Sequence, residues 1–194
     1  MKRTVETLLG NRRPALGIRE ITFEVQSHPH QDSGCRTASE GILRPLRDEY
    51  QYALVMFDYD GCGVSQITAP DLERNLEQFY ETNGWTPGSV VFVVIEPELE
   101  AWMFGASFQQ LQQFVGWSHT QNIREWLIRN GYLSVGNHKP DDPKSAIEAI
   151  LDLQREPRSR RLYEYLARTV SLARCQDRAF QKFRTTLQRW FPTQ

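Results

Sequence analysis

Two unbroken apolar runs stand out along the chain, 53–57 (Ala-Leu-Val-Met-Phe) and 90–95 (Val-Val-Phe-Val-Val-Ile). Runs of this length without polar alternation predict strands buried on both faces, as in a parallel sheet. Between them Leu72, Leu76, Phe79 and Tyr80 recur at helical spacing. Thr68-Ala69-Pro70-Asp71 predicts the start of that helix and Asn83-Gly84 its end. Upstream, 4–9 predicts a short helix stopped by Gly10-Asn11 and Pro14. Residues 18–25, with Ile21, Thr22, Phe23 and Val25, predict a strand. The polar stretch 28–36 reads as a loop, and 37–50 as a helix with Leu43 and Leu46 inward and Pro45 as an interruption. Beyond Trp102 the apolar spacing is helical over 108–114, 121–130, 142–153 and 177–190, with Asp142-Pro143 as a cap and first-position pair. The expected architecture is an α/β unit over 1–105 followed by a helical region over 106–194 packed on it.

Both apolar runs end in carboxylates. The first leads into Asp58-Tyr59-Asp60-Gly61 and the second into Glu96-Pro97-Glu98-Leu99-Glu100-Ala101-Trp102. Residues i and i+2 of a strand share a face, so Asp58 and Asp60 converge if Tyr59 continues the strand. Ligands of open parallel sheets sit beyond the carboxyl ends of the strands. Carboxylates crowded there repel, and a hard divalent cation such as Mg2+ or Mn2+ removes the repulsion. Pro97 suits the first position of a helix, with Glu98 in its first turn and Glu100 four residues beyond Glu96. These positions make Asp58, Asp60 and Glu96 the candidate catalytic and metal-binding set, with Glu100 as a further ligand. The bland reading of the same residues is an Asp-rich turn and an acidic first helical turn.

Composition narrows the class. The 194 residues, 40% hydrophobic and 24% charged, are those of an ordinary globular chain. No apolar run approaches the ~20 residues that cross a bilayer, and no secretory apolar region follows the basic N-terminus. Three widely spaced cysteines, Cys35, Cys62 and Cys175, argue against a disulfide framework and against a CxxC zinc site. His28, Asp32 and Cys35 are close in sequence but fit no zinc spacing. A reducing, cytoplasmic location and no membrane partner are expected. Net charge is −1, yet the stretch from 151 onward carries ten basic residues against four acidic ones, leaving the remainder strongly acidic. An acidic half beside an Arg-rich half suits an enzyme acting on polyanions. Arg158, Arg160, Arg161 and Lys139 are the candidate nucleic-acid contacts.

The ordered set of motifs resembles the TOPRIM family, the metal-binding fold of topoisomerases, primases and phage-defence nucleases. Asp58-Tyr59-Asp60-Gly61 matches its DxD strand end. Glu96-Pro97-Glu98-Leu99-Glu100-Ala101-Trp102 looks like the acidic-aromatic motif of RloB-type defence proteins. With His28-Pro29-His30-Gln31-Asp32-Ser33-Gly34-Cys35 before and Lys139-Pro140-Asp141-Asp142-Pro143-Lys144 after, the chain is similar to the small TOPRIM-like component of the bacterial methylation-associated defence system. The resemblance runs from about residue 25 to the C-terminus. It implies a Rossmann-like parallel sheet and a Mg2+- or Mn2+-dependent nuclease or phosphodiesterase. It also implies DNA and other defence proteins as partners. The pattern departs at its start: the family's first strand, with its terminal glutamate, has no counterpart before Thr4, so an in-frame upstream strand ending in Glu is expected if the protein is active.

Two other functions compete. Phe57-Asp58-Tyr59-Asp60-Gly61 also resembles the first motif of haloacid-dehalogenase-type phosphatases, which implies Asp58 as nucleophile and Asp60 as acid/base; Cys62 departs from that pattern. A non-catalytic interaction subunit of a defence complex is the third, supported by the absent first-strand glutamate.

Overall fold

Valine-rich strands need cover on both faces, and the arrangement of the chain supplies it. In a computed structural model, which describes residues 1–104, 107–157, 159, 163–164, 167–168, 172 and 175–193, the chain has an α/β fold. Strands β1 (Ala53–Asp58) and β2 (Val90–Ile95) lie parallel, in register from Ala53 opposite Val90 to Asp58 opposite Ile95. They form a two-stranded sheet among the described residues. The helix that joins them spans Ala69–Thr82 and will be called α4. Thr68 caps it by accepting a hydrogen bond from the Asp71 N–H at 3.3 Å, and Pro70 sits in its first turn, where no donor is needed.

Three helices precede the sheet: α1 (Lys2–Asn11), α2 (Arg13–Leu16) and α3 (Gln31–Leu43). Among the described residues five follow: α5 (Ala101–Phe104), α6 (Phe108–Phe114), α7 (Ile123–Arg129), α8 (Pro143–Gln154) and α9 (Arg178–Trp190). One face of the sheet, with Val55, Phe57, Val90, Phe92 and Val94, packs with Leu72, Tyr80 and Trp85 around α4. The other, with Val91, Val93 and Ile95 flanked by half-buried Leu54 and Met56, joins a larger core. That core takes Leu8 from α1, Ile147 from α8 and Phe183 from α9, so it crosses position 105 without a break. Every residue of β2 is buried, which is why its sequence shows no alternation.

The sequence expectations need correction in four places. Gly10-Asn11 does not stop the first helix, which runs through Asn11, and Pro14 sits in the first turn of α2. Residues 18–25 form no strand. Ile18 makes an isolated bridge to Pro192, and Ile21, Phe23 and Val25 turn inward to the core while Thr22 and Glu24 stay exposed. The period-2 pattern is therefore real in burial but has no hydrogen-bond ladder behind it. Only 28–30 of the polar segment 28–36 stays a loop: α3 begins at Gln31, and the helix expected over 37–50 is the rest of α3, which ends at Leu43 and is followed by a single 3-10 turn at Arg44–Leu46. Tertiary bonds fix α3 where local pattern gave no signal. Arg36 Nε donates to the Cys62 carbonyl at 2.6 Å, and Gly34 passes so close to His28 that an added Cβ would fall 1.9 Å from its Nδ1. Finally, Pro97 does not open a helix. The chain turns through Pro97 and Glu98 into α5 at Ala101, with the Pro97 carbonyl accepting from the Asp60 N–H at 3.0 Å.

Candidate functional site

Asp58 ends β1 on the face it shares with Leu54 and Met56, at the rim of the larger core. Its Oδ1 is buried and has no hydrogen-bond partner among the described residues. Burial first, then the charges of Asp32, Glu100 and Glu98, push its carboxyl up to about 8. Asp58 is thus protonated at neutral pH in the metal-free protein, an unusual state for a strand-end aspartate.

Its neighbours are built in from three directions. Asp32, on the first turn of α3, accepts the Asp58 N–H through Oδ1 at 3.1 Å; a Cβ at Gly61 would lie 3.8 Å from its Oδ2. Gly61 itself has φ +93°, a left-handed turn that lets the chain fold back after the strand. Glu100 is buried before α5 and accepts from the Tyr163 hydroxyl at 2.6 Å. Glu98 accepts from the Lys144 N–H at the start of α8 at 3.0 Å, and burial and the Glu100 charge raise its pKa.

The remaining residues singled out from the sequence go elsewhere. Asp60 is exposed on the turn, and neither it nor Glu96 is among the charges acting on Asp58. Glu96 faces Arg178, with Oε2 3.6 Å from Nε. Lys139 Nζ donates to the Glu96 carbonyl at 2.8 Å and to Asp177 Oδ2 at 3.1 Å, so its charge is engaged in joining β2 to α9 rather than offered to a phosphate. Arg158, Arg160 and Arg161 lie outside the described residues. Among the described residues no three His, Cys, Asp or Glu side chains converge closely enough to hold a metal ion; that holds for Asp58, Asp60 and Glu96, and for His28, Asp32 and Cys35. Asp32 is the site residue that the DxD pattern did not point to. Its signal was the polar stretch before β1, which becomes helical and reaches the strand end.

The outer edge of β2 is finished by side chains. In a parallel pair alternate residues bond to the partner, so Phe92 and Val94 turn their N–H groups outward. Glu77 accepts from Phe92 at 2.9 Å and Glu73 from Val94 at 2.7 Å. Glu73 is buried and pairs with Arg178 at 2.8 Å and Lys182 at 3.1 Å, while Lys182 also meets Glu77 at 2.7 Å. Arg178 Nη2 donates to the Val94 carbonyl at 2.5 Å. Two helices, α4 and α9, thus stand in for a third strand.

Comparison with family models, with curated proteins and with solved structures finds no match to this chain. Among the described residues no helix is long and apolar enough to cross a membrane.

Proposed function

We propose that this chain is a TOPRIM-like, Mg2+- or Mn2+-dependent phosphodiesterase acting on nucleic acid, a component of cytoplasmic antiphage defence that works with other proteins of its system. The observation that carries the reading is the orphaned, buried Oδ1 of Asp58 amid three further carboxyl groups at a strand's carboxyl end. The unpartnered oxygen and the carboxyl charge around it suit a divalent cation; Asp58 would hold it, and Asp32, Glu98 and Glu100, which do not converge with it as a ligand set in this structure, would have to close in to complete the coordination. A divalent ion bound there supplies neutralising charge to a phosphodiester and lowers the pKa of a water. Tyr163 orients Glu100, and the α3 helix fixes Asp32 against the strand. The haloacid-dehalogenase reading has less support, because Asp60, its acid/base, is exposed on the turn and is not among the charges acting on Asp58.

The lack of three converging ligands among the described residues favours one second reading, a non-catalytic subunit of a defence complex. Titration calorimetry with MgCl2 and MnCl2, run beside cleavage of a labelled oligonucleotide with and without EDTA, separates the two. The enzyme reading expects saturable metal binding and EDTA-sensitive cleavage, both lost in Asp58→Asn. Wild-type protein that binds neither ion sinks it and leaves the interaction subunit.

A further inference from the structure

A cleft of about 590 Å3 opens where β2 runs out, between α5, α6, the 137–141 loop and the start of α9. That volume is typical of small-ligand pockets. One wall is aromatic: Phe104 and Phe108 have ring centroids 6.0 Å apart, and the Arg124 guanidinium lies 6.0 Å from the Phe108 ring centre. Asn137, His138 and Gln176 also line it; all three are exposed, and their side chains make no hydrogen bond to any described residue. The fixed cations of the cleft are already matched. Lys139 pairs with Asp177, and Arg178 with Glu73 and Glu96. A phosphate would find no unmatched charge from these two side chains.

Asp141 also lines the cleft, so its carboxylates outnumber its cations. An aromatic wall, two amides with donors and acceptors to offer, and no unmatched cation suit a flat, neutral heterocycle with a hydrogen-bonding edge. A nucleobase has that chemistry. In a duplex its faces are stacked and its edge paired, so a cleft of this kind admits it only when unpaired. We infer that the cleft receives an unpaired base of a single-stranded nucleic acid, stacked on Phe108, with Asn137 and Gln176 meeting its edge. The strand would leave the cleft past Arg124, which also donates to the Asn137 carbonyl at 3.4 Å. Beyond it on α7, half-buried Trp126 stacks on Tyr132 at 5.8 Å and meets Trp117 at 5.6 Å, a further set of rings for neighbouring bases. The inference rests on the nucleic-acid reading above and specifies the form of the strand.

Fluorescence anisotropy in EDTA tests it, with a fluorescein-labelled 20-nucleotide single strand and the same sequence as duplex, on the full chain. The single strand should bind at least tenfold tighter than the duplex. Phe108→Ala should weaken single-strand binding about tenfold. The double variant Asn137→Ala/Gln176→Ala, at exposed positions that leave folding intact, should weaken it severalfold. Equal affinity for both forms, no binding at all, or wild-type affinity in the double variant overturns the base pocket. Because the assay excludes metal, a wild-type chain that binds the single strand here but cleaves nothing when Mg2+ or Mn2+ is supplied removes the phosphodiesterase reading and leaves the pocket standing.

Discussion

The Asp58 carboxyl stays protonated to about pH 8, whereas in the unfolded chain it ionises near the ordinary aspartate value. Between roughly pH 4 and pH 8 the folded protein therefore binds the extra proton. Unfolding releases it, so stability falls as pH rises through this window and levels off above it. Asp58→Asn removes the titration and keeps the shape. Urea unfolding in EDTA at pH 5, 6, 7 and 8 should show the wild type losing ground to Asp58→Asn steadily across the series. Parallel curves at all four values would mean that Asp58 titrates normally. Saturating Mg2+ should offset this loss in the wild type alone, by binding the ionised form that the variant lacks. Part of this was legible in the sequence. Asp58 at a strand end followed from an apolar run meeting a carboxylate. Asp32 did not, because its role depends on a helix that forms through contacts with β1 and Cys62, which no local spacing encodes. Glu96 was misdirected by adjacency: next to the strand end, it turns to Arg178 instead.

At the scale of elements, the β2 edge is held by a carboxylate that bridges a backbone donor and two cations. Glu73→Ala would strand the Val94 N–H and leave Arg178 and Lys182 short of a partner. Removing one member of such a buried set costs about 3 kcal/mol. Glu73→Gln, which still accepts from Val94, should cost less, and the order Ala worse than Gln in denaturant midpoints is the check. Equal midpoints would mean that the edge is held without it. Helix α4 shows what sequence conveys well: its cap, its proline and its apolar spacing are local and all appear as expected. Its second duty was hidden. Glu73 and Glu77 read as an ordinary charged helix face, one turn apart, and gain their meaning from a sheet edge far along the chain. The strand expected over 18–25 failed for the converse reason. Alternation reports which side of a segment is buried, and burial on one side does not require a strand beside it.

Across the whole molecule the two ends of the chain close on each other. Arg19 N–H donates to the Phe191 carbonyl at 3.1 Å, Trp190 stacks on Tyr52 at 4.6 Å, and its indole N–H donates to the Gly88 carbonyl at 3.0 Å. Trp190 thereby ties α9 to the entry of both strands. Trp190→Ala should cost about 3–5 kcal/mol and lower the urea midpoint in one cooperative step. A separate early transition of the C-terminal part would show instead that the shared core does not couple the halves. The sheet itself is lopsided. Glutamates close β2, whereas on the other side Asp32 closes only the Asp58 end of β1, and the outward N–H groups of Leu54 and Met56 meet no hydrogen-bond partner among the described residues. A strand edge of this kind is a template for pairing, and among the described residues the sheet has one such edge rather than two. Head-to-tail stacking of sheets needs two, one to give and one to receive. Two copies can meet through β1 only about a twofold axis, and the pair so formed exposes only its closed sides. Growth by strand addition therefore ends at two chains, and the side-chain ladder on β2 is what denies this sheet the geometry of a fibre.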